Sequence, residues 1–80
     1  MTDAYVAEIV RKRWLEVLEV PKAAGDDDFF LSGGHSLLAV RLTTALREDL
    51  GVRIPVSAIF QARRLDGYAE RVAGLVGVAS

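Results

Sequence analysis

The sequence predicts an all-α fold: a small four-helix bundle, three main helices plus one short one, with a long first loop. Three observations point there. Apolar residues recur at three- and four-residue steps in separate stretches of the chain. Prolines and glycines fall between those stretches, where helices should stop. The chain has 80 residues and no cysteine, so helix packing has to hold the core without disulfides. That length makes a single domain over 1–80, since a second core would need roughly twice as much chain.

The first helix is expected from Asp3 to Val20. Val6, Ile9, Val10, Trp14, Val17 and Leu18 make one apolar stripe, Thr2 or Asp3 could cap its start, and Pro21 ends it. From Pro21 to about His35 there is no periodicity. This stretch holds Gly25, Asp26-Asp27-Asp28, Phe29-Phe30 and Gly33-Gly34. A loop this long in a small domain is functional or packed by its own side chains. At least one of the adjacent phenylalanines should therefore bury against the helices. The aspartates read as solvated turn formers, because the spacing of an EF-hand loop is absent.

A second helix is expected from Ser36 to Leu50, closed by Gly51. Leu38, Leu42, Ala45 and Leu46 should face the core. Ser36, Val40, Thr43, Thr44 and Arg47 should face away, with Leu37 at the margin. Val56 to Phe60 forms a short helical turn after Pro55. A last helix runs from about Asp66 to Gly74 or a little beyond, burying Leu65, Tyr68, Ala69, Val72 and Val76.

Composition narrows the function classes. The chain is 51% hydrophobic, 8% aromatic and 26% charged, with net charge −1. A domain that lives on nucleic acid usually carries a strong basic excess. The run Arg11-Lys12-Arg13 is interrupted along its helix by Glu8, Glu16 and Glu19 and reads as a solvated face. One histidine and no cysteine exclude a multi-histidine or thiolate metal site. No stretch approaches the roughly 20 apolar residues of a membrane span. The N-terminus lacks the pattern of a signal peptide, so the cytoplasm is the expected compartment.

The chemistry concentrates in Asp28-Phe29-Phe30-Leu31-Ser32-Gly33-Gly34-His35-Ser36-Leu37-Leu38. A glycine pair lets the chain turn sharply and leaves the next residue open. Ser36 then starts a helix, where the bland reading makes it an N-cap and no more. Against that, its hydroxyl should face away from the core, and Leu37 and Val40 lie nearby on the exposed side. Exposed apolar residues around one reactive position mark a docking surface. A helix N-terminus also favours a phosphate, through free N–H groups and the helix dipole.

Competing motifs fail at specific positions. No lysine precedes Ser36 as a P-loop requires. A nucleophile elbow needs glycine where Leu38 stands, and a sheet besides. Adjacent His35 and Ser36 do not face each other on a helix, and no acidic residue is evident to orient His35.

Phe29-Phe30, Gly33-Gly34-His35-Ser36-Leu37 and the helix that follows resemble the peptidyl carrier, or thiolation, domains of nonribosomal peptide synthetases. The likeness covers nearly the whole chain, including the Ile59-Phe60 element, and implies an acyl-carrier-protein-like bundle. It implies that Ser36 is the attachment point of 4′-phosphopantetheine. A separate phosphopantetheinyl transferase would deliver the arm from coenzyme A with Mg²⁺. The arm's thiol would hold an aminoacyl or peptidyl group as a thioester, for adenylation, condensation or thioesterase domains or tailoring enzymes. Gly34, His35, Leu37, Val40 and Arg41 would shape the surface that partners read. The carrier itself would be non-catalytic and monomeric, with neither nucleic acid nor membrane as a partner. Where the family usually has an apolar residue before the glycine pair, this chain has Ser32, with Leu31 one place earlier.

Fatty-acid acyl carriers resemble the same fold but typically have aspartate before the modified serine and a strongly acidic second helix. Here His35 precedes Ser36, and Arg41 and Arg47 come before Glu48 and Asp49. Docking should then lean on Leu37 and Val40 more than on charge. An acyl carrier of a polyketide or fatty-acid-type pathway remains the alternative within the family. From outside it, the rivals are an unmodified helical interaction module and a small hydrolase.

Overall fold

In the computed structural model, residues 2–79 are described along the backbone and residues 4–77 with their side chains. Four helices follow in order: α1 (Thr2–Leu18), α2 (Ser36–Leu50), α3 (Ser57–Gln61) and α4 (Leu65–Ala79). Helix α1 packs against both α2 and α4, and α3 packs against α4. The molecule measures 32 × 22 × 19 Å. No helix among the described residues is long and apolar enough to cross a membrane.

The apolar stripe of α1 brings Val6, Val10 and Trp14 into the core, with Ile9, Val17 and Leu18 half-buried around them. The helix stops at Leu18, two residues earlier than the stripe and Pro21 predict. Glu19 turns left-handed at φ 56, and the Val20 N–H then donates back to the Leu15 carbonyl at 3.1 Å. That bond is the closing bond of a Schellman turn. The cap expected from Thr2 or Asp3 lies outside the described side chains.

The buried face of α2 differs from the expected one. Ala39, Leu42, Thr43 and Leu46 are buried, while Leu38 and Ala45 are only half-buried. Thr43, expected on the outer side, is 1% exposed. Burying it is tolerable because its hydroxyl donates to the Ala39 carbonyl at 2.8 Å, one turn back. Arg47 does stay outside, but its Nε donates to the Ile54 carbonyl at 2.8 Å and ties the next loop to the helix.

Helix α3 starts one residue later than expected, after Val56. The Pro55 carbonyl accepts the first turn's bond from the Ala58 N–H. Helix α4 buries Leu65, Tyr68 and Val72 and continues past Gly74 to Ala79. Its packing against α1 outweighs the weak helix propensity of its glycines. Burial pushes the Tyr68 phenol up to about 12.

The basic run on α1 is not one solvated face. The Arg13 guanidinium holds Asp49 of α2 with two bonds, Nε to Oδ2 at 2.6 Å and Nη2 to Oδ1 at 2.8 Å. A third bond, at 3.1 Å, reaches Glu16. Arg11 donates to the Ala23 carbonyl, and Lys12 is exposed. The run therefore splits around the helix, and one member fastens α1 to α2.

Candidate functional site

The site is assembled by the loop between α1 and α2, and that loop is stitched down along much of its length. Asp27 Oδ2 accepts from the Ala24 N–H at 2.9 Å. Asp28 Oδ1 accepts from the N–H groups of Phe30 and Leu31 at 2.8 and 3.1 Å, so it caps the turn that follows. The turn formers expected from sequence are present, but Asp28 is more than that. Its backbone makes an isolated antiparallel bridge with Arg64, just before α4. Phe29 N–H donates to the Arg63 carbonyl at 2.8 Å, and Leu65 N–H donates to the Asp27 carbonyl at 3.0 Å.

Phe29 is the buried anchor expected from the sequence. Its ring is fully buried and meets Trp14 edge-on, centroids 5.3 Å apart. Gly33 and Gly34 are glycines for different reasons. Gly33 has φ 108, a conformation that L side chains rarely adopt. At Gly34 the constraint is space. A Cβ there would lie 2.4 Å from two ring carbons of Phe29 and 2.7 Å from its carbonyl oxygen. The Gly34 N–H also donates to that carbonyl at 2.9 Å. Anchor and glycine thus form one packed unit, which delivers the chain to the start of α2.

His35 is the N-cap residue of α2, in extended backbone at φ −148 and ψ −178, and no side chain caps the helix. Ser36 is the first helical residue, so the reading of Ser36 as the cap is corrected by one position. Its side chain is freed from capping and the residue is exposed. No acidic residue stands in the first turn. Leu37 is 58% and Val40 49% exposed. Val40 lies one turn beyond Ser36 on the same side of the helix. His35 and Arg41 are exposed as well, whereas Gly34 is half-buried under Phe29.

Other residues join this end of the molecule without a signal in helical periodicity. Leu31 is 85% exposed at the tip of the turn, and Phe60 of α3 is 46% exposed. Phe30 is half-buried and stacks on Phe60 at 5.1 Å with the rings 22° apart. Neither Leu31 nor Phe60 belongs to a helical stripe, so periodicity could not mark them. Among the described residues no cluster of histidine, aspartate or glutamate could hold a metal ion.

Residues 8–72 match the family described as phosphopantetheine attachment site. Over 79 residues the chain is 42% identical to a linear gramicidin synthase of Brevibacillus parabrevis, a match covering 91% of this chain and 1% of that protein. It is 46% identical over 65 residues to dimodular nonribosomal peptide synthase of Bacillus subtilis (strain 168), covering 81% of this chain and 3% of that protein. The chain therefore spans a small piece of these relatives. A structure described as a nonribosomal PCP domain superposes with TM-score 0.72 at 30% identity, covering 88% of this chain and 87% of that one. BlmI, a type-II acyl carrier protein from Streptomyces verticillus, superposes with TM-score 0.84 at 19% identity, over 90% of this chain and 87% of that one, and shares the fold.

The prosthetic group of that family is 4′-phosphopantetheine, held covalently. The residues present fit such a group. An exposed serine opens α2, and the N–H groups of the first turn meet neither a side-chain cap nor an opposing carboxylate. The chain belongs to the phosphopantetheine attachment family and is a carrier domain of the peptidyl carrier type found in nonribosomal peptide synthetases.

Proposed function

We propose that Ser36 is the residue that takes the phosphopantetheine arm, and that this chain presents the loaded arm to partner domains while doing no catalysis itself. The observation that carries the reading is the placement of Ser36: exposed, first in α2, behind a glycine pair that only a left-handed turn and a buried ring require. A separate phosphopantetheinyl transferase would supply the base and the Mg²⁺. The Ser36 hydroxyl oxygen would attack the coenzyme A phosphorus that bears the arm and give up its proton to that enzyme, while the pyrophosphate P–O bond breaks and adenosine 3′,5′-bisphosphate leaves. The thiol of the bound arm supplies the thioester linkage to an aminoacyl or peptidyl group. The first turn of α2 favours the new phosphodiester charge through its N–H groups and dipole. Leu37 and Val40 offer apolar contact beside the serine for the transferase and for adenylation, condensation or thioesterase domains.

Intact mass tests the site. Incubation of the purified chain with coenzyme A, Mg²⁺ and a promiscuous phosphopantetheinyl transferase should add one phosphopantetheine unit, and Ser36→Ala should add none. A folded parent that gains no mass would remove Ser36 from this role and favour an unmodified interaction module.

A further inference from the structure

We propose that Asp28, Phe30, Phe60 and Arg63 clamp α3 to the turn that presents Ser36, and that Asp28 and Arg63 are positioning residues for loading of that serine. The inference rests on the Ser36 reading above. The turn is held from two sides. On the inner side are Phe29 and Gly34, buried and close-packed. On the outer side is a half-exposed set, in which Phe30 packs against the edge of the core.

The two oxygens of Asp28 divide the work. Oδ1 caps Phe30 and Leu31, and Oδ2 faces Arg63 Nε at 3.2 Å. The Arg63 guanidinium also lies over the Phe30 ring, 4.9 Å from its centroid. Phe30 in turn stacks on Phe60 of α3. Arg63 thus holds the turn through charge, through a ring, and through its carbonyl, which accepts from the Phe29 N–H. Phe30, Phe60 and Arg63 line a shallow cleft of about 290 Å³ open to solvent.

A half-exposed ion pair is a weak fastening. Removing it should loosen the turn without unfolding the domain, because Phe29 stays buried. Loosening matters at the other end of the turn, where Gly34 and His35 hand the chain to Ser36. A nucleophile whose position is less restricted reacts more slowly once bound.

A double-mutant cycle tests the clamp. Asp28→Asn keeps the Oδ1 cap and removes the charge contact alone, while Arg63→Ala keeps the backbone carbonyl bond but removes the charge contact together with the guanidinium over Phe30. Two quantities are read: amide exchange at Phe30, Leu31 and Ser32 in the free domain, and kcat and KM for arm transfer by a purified phosphopantetheinyl transferase. Each single variant should speed exchange at those amides and lower kcat about threefold with KM little changed. The double variant should be no slower than Arg63→Ala alone, because that change already removes the contact that Asp28→Asn removes. Additive losses with unchanged exchange would overturn the proposal and make Arg63 a direct transferase contact. Unchanged kcat in both single variants would overturn it too. A wild-type domain that gains no arm would sink the Ser36 reading instead, and the exchange cycle alone would then decide whether the clamp holds the turn.

Discussion

At its C-terminal end α2 is closed by its own chain. Gly51 turns left-handed at φ 68 and donates to the Arg47 carbonyl at 2.9 Å. Arg47 reaches on to Ile54, and Arg13 of α1 clasps Asp49. At its N-terminal end the same helix has no side-chain cap and no acidic residue, and Ser36, Leu37 and Val40 are exposed. Orphan N–H groups at a helix start are normally satisfied by a serine or aspartate cap. Here the serine sits one position too late to do so. The contrast teaches that the two ends are held differently: under the proposed reading the open end receives the arm, while the closed end is fastened by the chain's own contacts. Rigidity is still supplied behind the open end, by Phe29 and Gly34.

The comparison breaks most severely at Gly34. Gly34→Ala puts a methyl group into the Phe29 ring and should cost about 3 kcal/mol, read by chemical denaturation. Phe29→Ala should cost less on that background than alone, because the ring the methyl meets is gone.

At the open end, Leu37→Asp should lower kcat/KM for loading or condensation about tenfold, the scale of an apolar contact at the centre of a docking surface. The melting temperature should not fall, since Leu37 is already largely exposed and an aspartate near a helix N-terminus is favourable. A lower melting temperature with unchanged turnover would mean that Leu37 serves the fold.

The smallest effect belongs to the closed end. The hydrogen bond from Arg13 holds the Asp49 carboxyl below the usual carboxylate range, helped by the charge of the guanidinium. A lowered folded-state value means that the pair's contribution is present above the ordinary aspartate pKa of about 3.9 and is lost as pH falls through the lower folded value. Asp49→Asn should therefore melt slightly lower than wild type at pH 7. The gap should close on acidification below about pH 4.

Much of this contrast was legible in the sequence. Gly51 marked the closed end, and Ser36 with Leu37 and Val40 marked the open one. Local backbone preference and helical spacing suffice for both. The inward turn of Thr43 was not legible. A threonine reads as polar until a carbonyl four residues back is free to take its hydroxyl. The site was legible as a motif, D-F-F-x-x-G-G-H-S-L, but the motif does not explain itself. That Gly34 answers to the Phe29 ring, and Gly33 to a backbone angle, is visible only once the loop is folded.

By itself the sequence determined an all-α domain with three apolar stripes, the break at Gly51, and a serine after a glycine pair. These are properties of neighbouring residues, set by helical period and by the conformations glycine permits. Tertiary structure alone decided that Arg13 would reach Asp49 across 36 residues. It also decided that Phe30, Phe60 and Arg63 would meet at the edge of the core. Such pairings depend on how α1, α2, α3 and α4 come together in space, which no local pattern of residue types encodes.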